Sequence, residues 1–192
     1  ELIKEEQIDC EFKRCDSILY STKDEDVLRK EVQIANTLGI SARFSKRSEL
    51  PFCIKGSAIF KNQACFQPLS FLYALASKLL ILEHCKVFKI KKQTVYTSKG
   101  AFHAKHIIVC TNYPIINVPG FYFMRESVSR SYVLALSGCK TFQHMYYGMD
   151  ENGISIRSYQ DYLIVAGSSH DIGYEKKDAY KTLYAQIQKY YP

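Results

Sequence analysis

The sequence has no apolar run near the ~18 residues that a membrane-spanning helix needs, and no Cys-x-x-Cys pair among its seven cysteines, residues 10, 15, 53, 65, 85, 110 and 139. It therefore offers no candidate span and no zinc-ligand spacing. An odd cysteine count in a chain of 192 residues fits reduced thiols in a cytoplasm, so neither a disulfide nor a metal is expected. A basic block is missing too. The 26 Lys and Arg against 19 Asp and Glu give a net charge of +7, spread along the chain. The one local basic run, residues 86–92, alternates with apolar residues as a strand with one wet face would, and no nucleic-acid partner is expected. Internal repeats, low-complexity tracts, a signal peptide, a Ser-His-Asp signature and a carboxylate pair at telling spacing are all lacking. The first residue is Glu1 rather than a methionine, which points to an excised piece.

What is present is an ordinary globular composition, 47% hydrophobic and 23% charged. At this length about 70% of the unfolded surface can be buried without staples, in one large domain or two small ones. Residues 104–114 carry the strongest buried-strand signal: Ile107, Ile108, Val109 and Cys110 form an apolar run closed by Thr-Asn-Tyr-Pro. Such a strand, buried on both faces, belongs to a mainly parallel sheet, and ligands bind beyond the carboxyl ends of strands in these sheets. Thr111 and Asn112 stand at that end.

In chain order, residues 1–8 read as the tail of a helix, and residues 12–13 and 18–21 as a hairpin turning at 14–17. Thr22, with Glu25 three positions on, predicts a capped helix over residues 23–38, stopped by Gly39. Residues 40–57 are loop-like, broken by Pro51 and Gly56, and 58–61 form a strand. A helix over 69–83 starts from Pro68, well placed at its first position. Extended segments at 85–90, 94–97 and 102–110 follow, and the alternation fixes a mixed α/β class. Short strands at 132–136, 145–147, 153–157 and 162–166 then form an antiparallel sheet, with Asp150-Glu151-Asn152-Gly153 as a hairpin turn. A polar loop at 167–173 and an amphipathic helix at 175–190 close the chain.

Several segments together carry a family likeness: Gln63 to Pro68 before a helix, Cys85-Lys86-Val87, Thr97-Ser98-Lys99-Gly100, Ala104 to Asn112, and Ile154-Ser155-Ile156-Arg157 followed by Leu163-Ile164-Val165-Ala166-Gly167. They resemble the middle of a flavin-dependent oxidoreductase of the D-amino-acid oxidase and glycine oxidase superfamily, in the branch that often carries a C-terminal Rieske iron–sulfur domain. The resemblance implies an α/β (α+β) fold: an antiparallel-sheet substrate domain with flanking helices, interrupted by a helix–strand–hairpin–strand piece of a flavin-binding domain. The implied division is 1–60 and 115–192 for the substrate domain and 61–114 for the FAD-binding segment.

By the same resemblance the intact protein oxidises an amine or amino acid to an imine by hydride transfer to FAD. Val87 contacts the adenine through its backbone, and Cys110, Thr111 and Asn112 lie along the cofactor. Arg157 holds a substrate carboxylate, a task suited to a permanently charged planar donor fork. Tyr132, Tyr147 and His170 line the substrate cavity, Tyr146 is a further cavity tyrosine, and Arg130 stands at a family position that is as readily structural. No catalytic acid–base residue is expected, because the flavin carries the redox chemistry. None of the nine glycines forms a Gly-x-Gly-x-x-Gly phosphate loop, so the isolated chain is expected to be inactive and not to hold FAD. Expected partners are the small-molecule substrate, the rest of the FAD domain and a Rieske domain. The alternative is a non-enzymatic ligand-binding or interaction domain without cofactor.

Overall fold

The computed structural model describes residues 1–118, 120–173 and 177–191. The chain forms two compact units, Glu1–Cys10 with Pro68–Ser127, and Glu11–Gln67 with Val128–Pro192. Among the described residues no helix is long and apolar enough to cross a membrane.

The larger unit is built on one seven-stranded sheet. Its strands are β1 (Lys13–Ser21), β2 (Ala42–Ser45), β3 (Gly56–Cys65), β7 (Ser129–Ser137), β8 (Met145–Gly148), β9 (Ser155–Tyr159) and β10 (Tyr162–Asp171), in the order β2-β3-β1-β8-β9-β10-β7. Every neighbouring pair is antiparallel except β1 with β8, which runs parallel from Ser17↔Met145 to Tyr20↔Gly148. That single parallel ladder stitches the first half of the unit to the second. Side chains alternate across the sheet. Ile18, Tyr20, Ile59, Tyr146, Ile156, Leu163 and Val165 therefore share one face and form the core with Leu50 and Phe142. Helix α4 (Ala179–Gln188) closes this face with Ala179, Leu183 and Ile187, spaced four apart and nearly solvent-free. Burying each of the two larger side chains contributes about 1.5–3 kcal/mol.

The expected hairpin at 12–21 is instead one continuous strand. The irregularity lies opposite, where Lys61 and Asn62 of β3 face Asp16 in a bulge, and Asn62 adopts φ 56° while its N–H donates to Asp16 Oδ1. The segment read as a loop over 40–57 contains β2, whose pairing with β3 covers that edge. Helix α2 (Asp26–Thr37) starts later than Thr22 would set it. Asp24 Oδ1 takes the N–H groups of Asp26 and Val27, whereas Thr22 is turned to Asp150. Gly39 at φ 77° ends it as expected. The polar loop at 167–173 is the continuation of β10, bulged between Gly167 and His170. The start of the last helix at Glu175 lies outside the described residues.

The smaller unit holds α1 (Leu2–Glu5), α3 (Pro68–Ala76), a short 3-10 turn (Tyr122–Arg125) and a three-stranded antiparallel sheet, β4 (Val87–Lys91), β5 (Thr94–Thr97) and β6 (Gly100–His103). Pro68 opens α3, but the helix stops at Ala76 rather than residue 83. Ser77 Oγ bonds back to the Ala74 carbonyl, and Lys78 and Leu79 close tighter i→i−3 turns. Residues 107–110 are not a strand, and Ile108 is 86% exposed. A strand buried on both faces exists only between hydrogen-bonded neighbours, and among the described residues no strand pairs with this segment.

Candidate functional site

Arg157 owes its position to strand alternation. Its neighbour Ile156 points into the core opposite Val165, so Arg157, paired with Ile164, projects from the opposite face of the sheet, open at β9 while α2 packs on β2, β3 and β1. There it lines a cleft of about 430 Å³ with Glu11, Lys13, Met145 and Tyr159. Among the described residues no carboxylate forms an ion pair with Arg157. Glu11 lines the same cleft but is engaged elsewhere, its Oε1 accepting the Tyr159 hydroxyl at 3.0 Å. That hydrogen bond raises the Tyr159 pKa above its ordinary value, with lesser help from desolvation and the Glu11 charge, while the positive charge of Arg157 pulls it back. The cleft thus presents a guanidinium beside a tyrosine, and Glu11, the one carboxylate among its lining residues, is hydrogen-bonded to that tyrosine.

Tyr147 shares this open face. It pairs with Ser155, two residues from Arg157 on β9, and is 59% exposed. Such diagonal neighbours lie roughly 7–8 Å apart. Tyr132 and His170 occupy the other face. Tyr132 is opposite Gly167, its ring meets Tyr180 of α4 edge-on at 4.8 Å, and its hydroxyl lies 3.0 Å from His170 Nε2. His170 Nδ1 lies 2.8 Å from the Asp171 carbonyl, an obligate acceptor. Nδ1 therefore carries a proton, and in the neutral ring Nε2 accepts from Tyr132. Arg130 pairs with His170 and is exposed. Tyr146 belongs to the core, where burial, then Glu49 and Tyr191, push its pKa up to about 12. The structure therefore brings Arg157 and Tyr147 together on one face and Tyr132 and His170 together on the other.

The residues expected at the cofactor lie in the smaller unit. Val87 is half-buried at the start of β4, beside a break in the β4–β5 ladder that leaves Phe88 out of register. Cys110, Thr111 and Asn112 are exposed in irregular backbone. Spare backbone groups and small polar side chains of this kind fit the adenosine end of a dinucleotide, and no glycine loop accompanies them for its pyrophosphate. Among the described residues no cluster of His, Cys, Asp and Glu could hold a metal.

Tyr159 was legible in principle, since it stands two residues beyond Arg157 on the same strand face. Glu11 was not. It reaches the cleft from 148 positions away in sequence, on a residue with φ 52°.

The FAD dependent oxidoreductase family model matches residues 1–192, and the chain belongs to that family. It is similar to YhfW of Bacillus subtilis (strain 168), a protein named for a Rieske 2Fe-2S iron–sulfur centre, with 30% identity over 91% of this chain and 38% of that protein. In fold it is similar to glycine oxidase from Geobacillus kaustophilus, with a TM-score of 0.73 and 15% identity over 97% of this chain and 56% of that one. L-proline dehydrogenase from P. horikoshii gives a TM-score of 0.72 and 16% identity over 98% of this chain and 59% of that one. The chain spans well under two thirds of each of these proteins.

Proposed function

We propose that the protein containing this chain oxidises an amine or amino acid to the corresponding imine, with FAD as the cofactor. The observation that carries this reading is Arg157, a guanidinium on the open face of the sheet with no carboxylate ion-pair partner among the described residues and Tyr147 beside it. A substrate carboxylate supplies the missing counter-charge through two parallel charge-assisted hydrogen bonds. The Glu11–Tyr159 hydrogen bond engages the carboxylate that lines the same cleft. Tyr147 packs its ring against the remainder of the substrate and limits access of water.

When bound, FAD supplies hydride acceptance from the carbon next to the amine nitrogen. Val87 holds the adenine edge by its backbone, and Cys110, Thr111 and Asn112 line the adenosine portion. The larger unit serves as the substrate domain and the smaller as part of the FAD-binding domain. Similarity to a Rieske-named protein supports an iron–sulfur domain as a partner in electron transfer, and the odd cysteine count supports a cytoplasmic location.

Anaerobic mixing of the FAD-loaded protein with a panel of amino acids and secondary amines tests the reading. Bleaching of the oxidised flavin absorbance by at least one carboxylate-bearing amine is the expected result. Reduction by hydroxy acids or polyol phosphates, with every amine inert, would refute it.

A further inference from the structure

The cleft around Arg157 contains a second set of chemistry that the proposed amine oxidation does not use. Cys15 on β1 and Cys65 on β3 line it together. The register pairs Cys15 with Gln63 and Lys13 with Cys65, so the two cysteines are diagonal cross-strand neighbours on the same open face. They stand at the end of the ladder next to the Asn62 bulge, which adds local twist. Cys65 is near enough to Cys15 to raise the pKa of its thiol. Cys15 is 8% exposed, and Cys65 is half-buried.

We propose that Cys15 and Cys65 form a redox-active dithiol, a modification site at which a low-molecular-weight disulfide such as oxidised glutathione converts the pair to an intramolecular cross-strand disulfide. Cys65, the more accessible thiol, attacks first. Its thiolate forms a bond to one sulfur of the incoming disulfide and expels the other as a thiolate, leaving a mixed disulfide on Cys65. Cys15 then loses its proton and attacks the Cys65 sulfur, expelling the second small thiolate. Two protein thiols are oxidised, one external disulfide is reduced to two thiols, and the two protons go to the two leaving thiolates.

The division of labour follows from the surroundings. Burial first, then the neighbouring Cys65, push the Cys15 thiol up to about 11. Cys15 is therefore protonated at neutral pH and a poor target for bulk reagents. It reacts because Cys65 holds the electrophilic sulfur against it. The other cysteines lack this arrangement. Cys53 and Cys110 are exposed, and neither lines the cleft.

The test is equilibration of the full chain with oxidised glutathione under native conditions, alkylation of free thiols, and peptide mapping by mass spectrometry. A Cys15–Cys65 linkage as the main intramolecular disulfide, reversed by dithiothreitol, is the expected result. Cys15→Ser should leave a stable glutathione adduct on Cys65, whereas Cys65→Ser should leave Cys15 unmodified over the same time. If the wild-type protein shows only mixed disulfides on Cys65, or links other cysteines instead, the proposal is overturned. The mapping does not depend on flavin or on substrate, so a failure of the amine-oxidation reading leaves it standing.

Discussion

Asp150 Oδ1 accepts the Ser21 hydroxyl at 2.5 Å, and this contact ties the β8–β9 turn to the end of β1. Asp150 Oδ2 takes both the N–H and the hydroxyl of Thr22, at 2.7 and 2.8 Å. Ser21 Oγ in turn accepts from the N–H groups of Lys23 and Asp24, ahead of α2. One carboxylate therefore fixes the meeting point of a turn, a strand and a helix. Asp150→Ala should lower stability by about 1–3 kcal/mol, the usual cost of leaving such donors unmatched. Urea unfolding checks it.

The same carboxylate gives a pH signature. Desolvation works against its charge, but the hydrogen bonds from Ser21 and Thr22, with the Lys23 charge, outweigh it and hold the Asp150 pKa below its ordinary value. In the unfolded chain an aspartate titrates near ~3.9. Its stabilisation is thus fully present above that pH and is lost as pH falls through the lower folded-state value. The difference in Tm between wild type and Asp150→Asn should be constant from neutral pH down to mildly acidic pH, then shrink on further acidification. A difference that grows below the aspartate range would contradict the assignment.

Gly153 is the tightest point of that turn. A Cβ there would lie 2.6 Å from the Gly148 carbonyl oxygen and 2.9 Å from that of Asp150, both backbone atoms that cannot swing away. Gly153→Ala should cost on the order of 1–3 kcal/mol through forced backbone shifts. Thermal unfolding measures it, and a Tm unchanged from wild type would show that the turn relaxes freely.

Leu183 is completely buried between α4 and the sheet, with its Cδ1 3.0 Å from where a Gly167 Cβ would sit. Leu183→Ala should cost roughly 2–5 kcal/mol. Amide exchange should show α4 opening more readily than β1 or β3 in this variant. Uniform loss of protection across the whole unit would argue instead that α4 is part of a single cooperative core.

Much of the larger unit was legible because its strands alternate cleanly: Ile154, Ile156, Leu163 and Val165 are buried as a period of two requires. The Asn152-Gly153 turn was legible for the same local reason, with Asn152 at φ 62°. The Ile107–Cys110 run was not, since an apolar run signals burial but not who supplies the neighbouring strands. The bulges opposite Asp16 and at Ser168 were hidden because a bulge depends on the partner strand's register. At the site, Arg157 and Tyr147 could be placed on one face by counting along β8 and β9. The Tyr132–His170 pair could not be assigned a face until the bulge in β10 was seen.

In the proposed function Arg157 holds a substrate carboxylate. The direct measurement is kcat/KM in the FAD-loaded protein for an amino-acid substrate and for the same amine lacking the carboxylate, with wild type, Arg157→Ala and Arg157→Lys. Arg157→Ala should lose about 2–4 kcal/mol of binding on the carboxylate-bearing substrate and little on the other. Arg157→Lys should recover only part, because a point charge cannot reproduce the planar fork. Flavin content should be unchanged in both. If Arg157→Ala stays within a few-fold of wild type on the amino acid, or loses equally on both substrates, Arg157 is not the carboxylate anchor.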